Sequence, residues 1–224
     1  GCLVVHGAAD LSLAQKLALV REANLAECAF LTPSDVADFG VRYYLADKEI
    51  PMAGHPTVAT VVSLIRRGLV DMRDGRARFN LEVGAGVMPI DVIDSANGPL
   101  VTMAQAAPVF GRSFDAAEIA PLYHLDPADI IGRPQVVSTG PPFPIVLLRD
   151  KAALRRAQLD LERLSAFRTR TGSTRADFME PFLVTLGGQT DRGDTFCRLL
   201  MTPPSLPEDP FTGSATGCMA VYLW

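Results

Sequence analysis

Residues 49–62 read EIPMAGHPTVATVV. A proline, a glycine, a histidine and a second proline stand directly ahead of an apolar run. Pro56 suits the first position of a helix, where its missing N–H is an orphan in any case. The spacing predicts a helix over residues 56–67. Val58, Ala59, Val61, Val62, Leu64 and Ile65 make it apolar around most of its circumference, so a buried helix is expected. Arg66, Arg67 and Gly68 supply a basic last turn and a glycine stop. A helix start carries unpaired N–H groups and a partial positive charge of roughly half a unit. Gly54 lets a ligand approach the backbone closely, and His55 stands where an anion would bind. A histidine at a helix start is usually only a cap or a surface residue.

The stretch has a partner in the same chain. PMAGHPTVATVVSLI (51–65) aligns without gaps on PFTGSATGCMAVYLW (210–224). Pro51 matches Pro210, Gly54 matches Gly213, Thr57 matches Thr216, Val62 matches Val221 and Leu64 matches Leu223. Each copy follows a strand-like segment with an arginine, VRYYLA or CRLLM. The matching flanks predict an internal duplication with two similar halves, residues 1–106 and 107–224. One central helix starts near residue 56 and the other near 214. In the second copy Gly213 and Ser214 occupy the helix mouth, with Ser214 a natural N-cap. Two matched mouths suggest two anion-binding ends. Just upstream, Glu208 and Asp209 lie on a proline-framed loop. Such a loop can aim a carboxylate at the mouth, or it is a solvated acidic turn.

The remaining chain reads as β-rich with a few helices. LVV at 3–5 is a short strand. Ser12 and Gln15 form a capping box opening a helix that Asn24 stops. CAFL, VRYYLA, PLVTMAQ, QVVS, FPIVLLR, EPFLVTL and DTFCRLLM read as strands, and KAALRRAQ and LERLSAFR as helices. ARFNLEV-GAG-VMPIDVI reads as a hairpin with Gly84 and Gly86 in the turn. Asp115 and Glu118 repeat the capping pattern, and the boundary between halves is expected near residues 106–115. Glu27 in NLAECAF follows a helix stop and leads into an apolar strand. A carboxylate there either lies in a cleft with a raised pKa, as a general acid or base needs, or is an exposed strand-start residue.

Hydrophobic residues make up 48% of the 224 and charged residues 21%, enough for a substantial core. The net charge of −4 argues against a nucleic-acid partner held through phosphates. No apolar run reaches the roughly 20 residues of a membrane span, and the first residues lack a signal-peptide pattern. Cys2, Cys28, Cys197 and Cys218 show no close pairing, which fits free thiols in the cytoplasm better than a disulfide framework or a zinc site.

NLAECAF, EIPMAGHPT and EDPFTGSATG, in this order and at these intervals, resemble the phenazine-biosynthesis PhzF-like isomerases. These are relatives of diaminopimelate epimerase. The resemblance covers nearly the whole chain, including VVSTGPPFPIVLL. It implies an α+β fold of two pseudo-symmetric halves, each a small β-barrel around a central helix, with the active site between them. It implies an enzyme that moves a proton between carbons of a small anionic metabolite by acid/base catalysis. Glu27 would be the acid/base; His55, Asp209 and Ser214 would serve binding and the proton step; Gly54, Gly213 and Ala215 would bind substrate at the helix mouths. No metal or organic cofactor is implied, and a homodimer is. The epimerase relatives place a cysteine at each mouth; here His55 and Ser214 stand there, and Cys218 lies a turn inside. That disfavours thiol-based racemisation. A non-catalytic anion-binding protein and an epimerase remain the alternatives. Two departures stand out. The family has outer strands before LVV and after the second central helix, which this sequence does not include. The strand around Arg198 carries Leu200 and Met201 where the family has an aromatic residue, which leaves the substrate open.

Overall fold

The computed structural model describes residues 1–174, 178–203, 207–209 and 212–224. The chain divides into two compact units, Gly1–Ala106 and Ala107–Trp224. Pro210 and Phe211, which belong to the repeated motif, lie outside the described residues.

The first unit runs β1 (Cys2–Val5), α1 (Leu13–Ala23), β2 (Glu27–Thr32), β3 (Phe39–Tyr44), β4 (Glu49–Ile50), α2 (Gly54–Arg66), β5 (Arg76–Val83), β6 (Gly86–Ser95) and β7 (Gly98–Met103). The sheet order is β1-β2-β3-β5-β6-β7, with β4 also on β3. Pairs β1–β2 and β3–β5 are parallel and the others antiparallel. Helix α2 packs on β1 and β2 near one edge and on β7 at the other, so the sheet curls around it. Strand β2 is apolar at successive positions because both its faces are covered. Ala29 and Leu31 join Val41, Tyr43, Val61 and Leu64 under α2. Cys28 and Phe30 join Val20 and Tyr44 on the side of α1.

The local signals act as their chemistry requires. The Ser12 hydroxyl accepts from the Gln15 amide at 3.3 Å, and the Gln15 side chain accepts from the Ser12 amide at 2.9 Å. Asn24 ends α1 in the left-handed conformation, φ 52°. Gly68, at φ 68°, ends α2; its amide donates to Ile65 O and that of Leu69 to Leu64 O, the Schellman closure. The β5–β6 turn is shorter than expected. Val83 pairs with Gly86, so Gly86 is the first residue of β6 and only Gly84 and Ala85 turn. Gly84 is required by crowding, since a Cβ there would sit 2.9 Å from Pro51 Cα.

Helix α2 also departs from expectation. It begins at Gly54 and not at Pro56, because the first turn needs no N–H donors and so tolerates proline at its third position. Its burial is one-sided: Pro56, Thr57, Thr60, Val61 and Leu64 are buried, whereas Val58, Ala59, Val62 and Ile65 are half-buried.

The second unit runs β8 (Val109–Ser113), α3 (Ala116–Ile119), two 3₁₀ turns, β9 (Gln135–Ser138), β10 (Pro142–Leu148), α4 (Lys151–Arg156), α5 (Leu161–Thr171), β11 (Phe182–Leu186), β12 (Thr195–Leu200), β13 (Glu208–Asp209) and α6 (Gly213–Leu223). Its sheet order is β13-β12-β11-β10-β9-β8, with β10–β11 parallel. Helix α6 packs on β9, β10 and β11. Ala215, Cys218 and Met219 meet Val137, Ile145, Phe182 and Val184 there. A second cluster, including Leu154, Leu164, Phe167 and Leu183, involves α4 and α5.

The duplication holds at the level of strand register. In the first unit Val4 pairs with Ala29, Ala29 with Tyr43, and Tyr43 with Ile50. In the second, Ile145 pairs with Phe182, Phe182 with Leu199, and Leu199 with Asp209. From Ile50 to Gly54 and from Asp209 to Gly213 the chain advances by the same four residues into the helix. Glu27 stands two residues before Ala29, and Glu180 two residues before Phe182. Glu180 is therefore the counterpart of Glu27.

Candidate functional site

Glu27 is the first residue of β2, and His55 the second residue of α2. The sheet brings them together across 28 residues of chain: Glu27 Oε2 lies 3.6 Å from His55 Nδ1. The two side chains are 24% and 30% exposed, so the pair is reachable from solvent yet partly desolvated. The N-cap of α2 is Ala53, which supplies no capping side chain, and no acidic residue stands in the first turn. A carboxylate from β2 thus comes beside a histidine at a helix start without side-chain capping. The other histidines are engaged elsewhere, His6 with Ser63 Oγ at 2.9 Å and His124 with Asp160 at 3.5 Å.

The α6 mouth is built differently. Thr212 is the N-cap, so Ser214 is the second helical residue and not the cap. The hydrogen-bond ladder starts two residues before Ser214, because Thr212 O accepts from the Thr216 amide at 3.0 Å. Ser214 thereby takes the same helical position as His55; Gly54 and Gly213 are the first residues of their helices. Ala215 follows Ser214 and is fully buried. The Thr212 hydroxyl does not cap; it donates to Asp209 Oδ2 at 2.6 Å. Asp209 itself lies in β13, hydrogen-bonded to β12, and not on an open loop. It is half-buried, as is Glu208. Arg198 donates to both Glu208 oxygens, at 2.9 and 2.8 Å, and holds that carboxyl below the usual carboxylate range.

Several features were not visible as site features in the sequence. Glu180 is fully buried, accepts from Thr202 Oγ1 at 2.5 Å and pairs with Arg168 at 3.6 Å. Its equivalence to Glu27 rests on strand register, which no local pattern encodes. The Tyr43–Thr57 contact at 2.6 Å and the Thr212–Asp209 contact were likewise unforeseen. The Thr57/Thr216 match in the repeat was the one available hint. A cavity of about 560 Å³ runs along α5, lined among others by Leu164, Ser165, Arg168 and Thr202; it contains none of the residues singled out from sequence.

Cys2, Cys28 and Cys197 are poor nucleophiles. Burial pushes Cys2 up to about 12 and also raises Cys28 and Cys197. Cys218 is fully buried inside α6. Among the described residues no group of three or more His, Cys, Asp or Glu could hold a metal ion, and no helix is long and apolar enough to cross a membrane.

The sequence profile of the family described as phenazine biosynthesis-like protein matches residues 2–224. The chain belongs to this family. Among similar family relatives is an uncharacterized isomerase, YddE, of Escherichia coli O157:H7, 29% identical over 98% of this chain and 72% of its own length. Trans-2,3-dihydro-3-hydroxyanthranilate isomerase of Pseudomonas chlororaphis is 27% identical over 98% of this chain and 72% of its own. The crystal structure of a PhzF-family protein of Bacillus anthracis superposes with a TM-score of 0.80 at 25% identity, over 98% of this chain and 72% of that one. A predicted epimerase of Pseudomonas aeruginosa gives 0.79 at 27%, over 100% and 75%. A probable proline racemase of Agrobacterium radiobacter shares the fold alone, with a TM-score of 0.57 at 15% identity over 88% of this chain and 59% of that one. The α+β architecture is thus shared with this probable racemase.

Proposed function

We propose that this chain is an isomerase-type enzyme that moves a proton between two carbons of a small anionic metabolite, without an organic cofactor. The observation that carries the reading is the 3.6 Å approach of Glu27 to His55 at the first turn of α2. Glu27 in its ionised form takes a proton from a carbon next to an electron-withdrawing group. The electron pair shifts through the adjacent double bond, and the same carboxyl, 24% exposed and so open to proton exchange with solvent, delivers a proton to the far end. The net change is a double-bond shift with no atom gained or lost. One carboxylate suffices for this chemistry. A two-thiol mechanism is disfavoured, since His55 and Ser214 stand at the two mouths and Cys2, which pairs with Glu27 in the β1–β2 ladder, stays protonated.

Gly54, Gly213 and Ala215 are assigned to anion binding, because first-turn amides and the helix dipole favour negative charge there. Asp209 and Ser214 are assigned to binding and to the proton step on the strength of their motif. The relatives named isomerases support the reaction class. The test is incubation of the protein with small anionic metabolites in heavy water. Deuterium entering a carbon position of one of them, and not entering with Glu27→Gln, is the expected result. No incorporation into a broad set of conjugated carboxylates would overturn the reading.

A further inference from the structure

The Tyr43 hydroxyl is fully buried and lies 2.6 Å from Thr57 Oγ1. Thr57 Oγ1 is also 2.6 Å from the carbonyl of Ala53, the N-cap of α2. A carbonyl only accepts, so the single Thr57 proton goes to Ala53 and Tyr43 must donate to Thr57. Burial raises the Tyr43 phenol well above its ordinary value, which keeps it a donor at any working pH. Two directed hydrogen bonds therefore run from the C-terminal end of β3 to the carbonyl that opens α2.

The same tyrosine is tied to the other half of the candidate site. Its backbone is laddered to Ala29 of β2, two residues beyond Glu27. One residue thus joins the strand that carries Glu27 to the helix turn that carries His55. The second unit serves as an internal comparison. Thr216 donates to Thr212 O at 2.9 Å, repeating the helix-internal bond, but Leu199 occupies the register position of Tyr43. A leucine has no hydroxyl, so among the described residues this register position supplies no strut to the α6 mouth, where Thr212, in the place of Ala53, donates to Asp209. The fold accommodates both arrangements; among the described residues the strut is seen at the mouth where a histidine meets a glutamate.

We infer that Tyr43 is a positioning residue, which acts through Thr57 and the Ala53 carbonyl to hold the first turn of α2 where His55 meets Glu27. Its importance for turnover rests on the reading of Glu27 and His55 as the reacting pair, but the positioning itself does not. A suitable test needs no substrate. In the full 224-residue chain, the titration midpoint of the His55 ring is followed by NMR with Glu27 intact and with Glu27→Gln. The displacement between the two measures how closely the pair is held. That displacement should shrink at least about twofold in the Tyr43→Phe and Thr57→Val backgrounds, since charge coupling falls with distance and added solvent. It should persist with Thr57→Ser, which keeps the hydroxyl. An equal displacement in all backgrounds overturns the inference, even if melting temperatures drop. So does the absence of any displacement in the wild-type background. Should Tyr43→Phe fail to fold, Tyr43→Leu, which copies the residue at this register position in the second unit, takes its place, and an undiminished displacement there overturns the inference. A negative heavy-water experiment would remove the proposed reaction and leave this measurement standing.

Discussion

Replacing Glu27 by glutamine separates a catalytic role from a structural one. The substitution keeps size and hydrogen-bonding capacity but removes the proton acceptor. Loss of a general base costs on the order of 100-fold or more in turnover, which corresponds to ~2.7 kcal/mol on the barrier. The folding penalty should be smaller. The Oε2–Nδ1 separation is 3.6 Å, an ion pair when His55 is protonated, and the side chains are 24% and 30% exposed. A pair at such a distance is worth about 1 kcal/mol in water and about 4 at an intermediate dielectric. Exposure to solvent and salt places this one near the lower figure. The expected outcome is therefore at least about a 100-fold fall in deuterium exchange into substrate, with a stability loss near 1 kcal/mol by urea unfolding. Near-normal exchange would refute the assignment of Glu27 as the base, and Asp209 would become the first candidate. A stability loss several times larger, with binding lost in proportion, would mark Glu27 as structural.

Asp129 offers a pH-dependent test of the second unit. Its carboxylate is 2% exposed, held by Arg149 at 2.8 Å and by Arg156, and the Arg156 hydrogen bond leads in pulling its pKa below the usual aspartate value. A depressed native pKa gives stability that is complete above about pH 4 and is lost as pH falls through the native value. Asp129→Asn should cost ~2 kcal/mol at neutral pH, discounted for the half-exposed arginines, and should flatten the acid limb of stability; an unchanged limb in acid-dependent melting would contradict this. Gly84→Ala would push a methyl group within 2.9 Å of Pro51 Cα, on the approach to α2; it should lower melting temperature and shift the His55 amide signal, whereas a silent amide would show that Pro51 yields freely. Titration with a small carboxylate should perturb the amides of residues 54–55 and 213–215; perturbation confined to exposed arginines would remove the anion-binding assignment. A homodimer is expected from the family resemblance, and light scattering of the full-length protein at a monomer mass would refute it.

Much of this protein is decided locally and was legible in the sequence. The Ser12–Gln15 box, the Asn24 stop, the Gly68 closure and the β5–β6 hairpin depend on contacts within a few residues, so composition and spacing suffice. The gapless repeat of residues 51–65 on 210–224 likewise announced two matched helix mouths, because a repeat is a property of sequence. What the tertiary structure alone decided is everything that depends on register. Strands β4 and β13 have two residues each and exist only because β3 and β12 supply their hydrogen bonds; by sequence, Asp209 could only be placed on a loop. The start of α2 at Gly54 and of α6 at Gly213 depends on those strands delivering the chain at a fixed point. The meeting of Glu27 with His55, the strut from Tyr43, and the burial of Glu180 at the place equivalent to Glu27 arise from strand pairing across tens of residues. Side-chain periodicity records which face a residue takes, but not which partner the neighbouring strand sets opposite it.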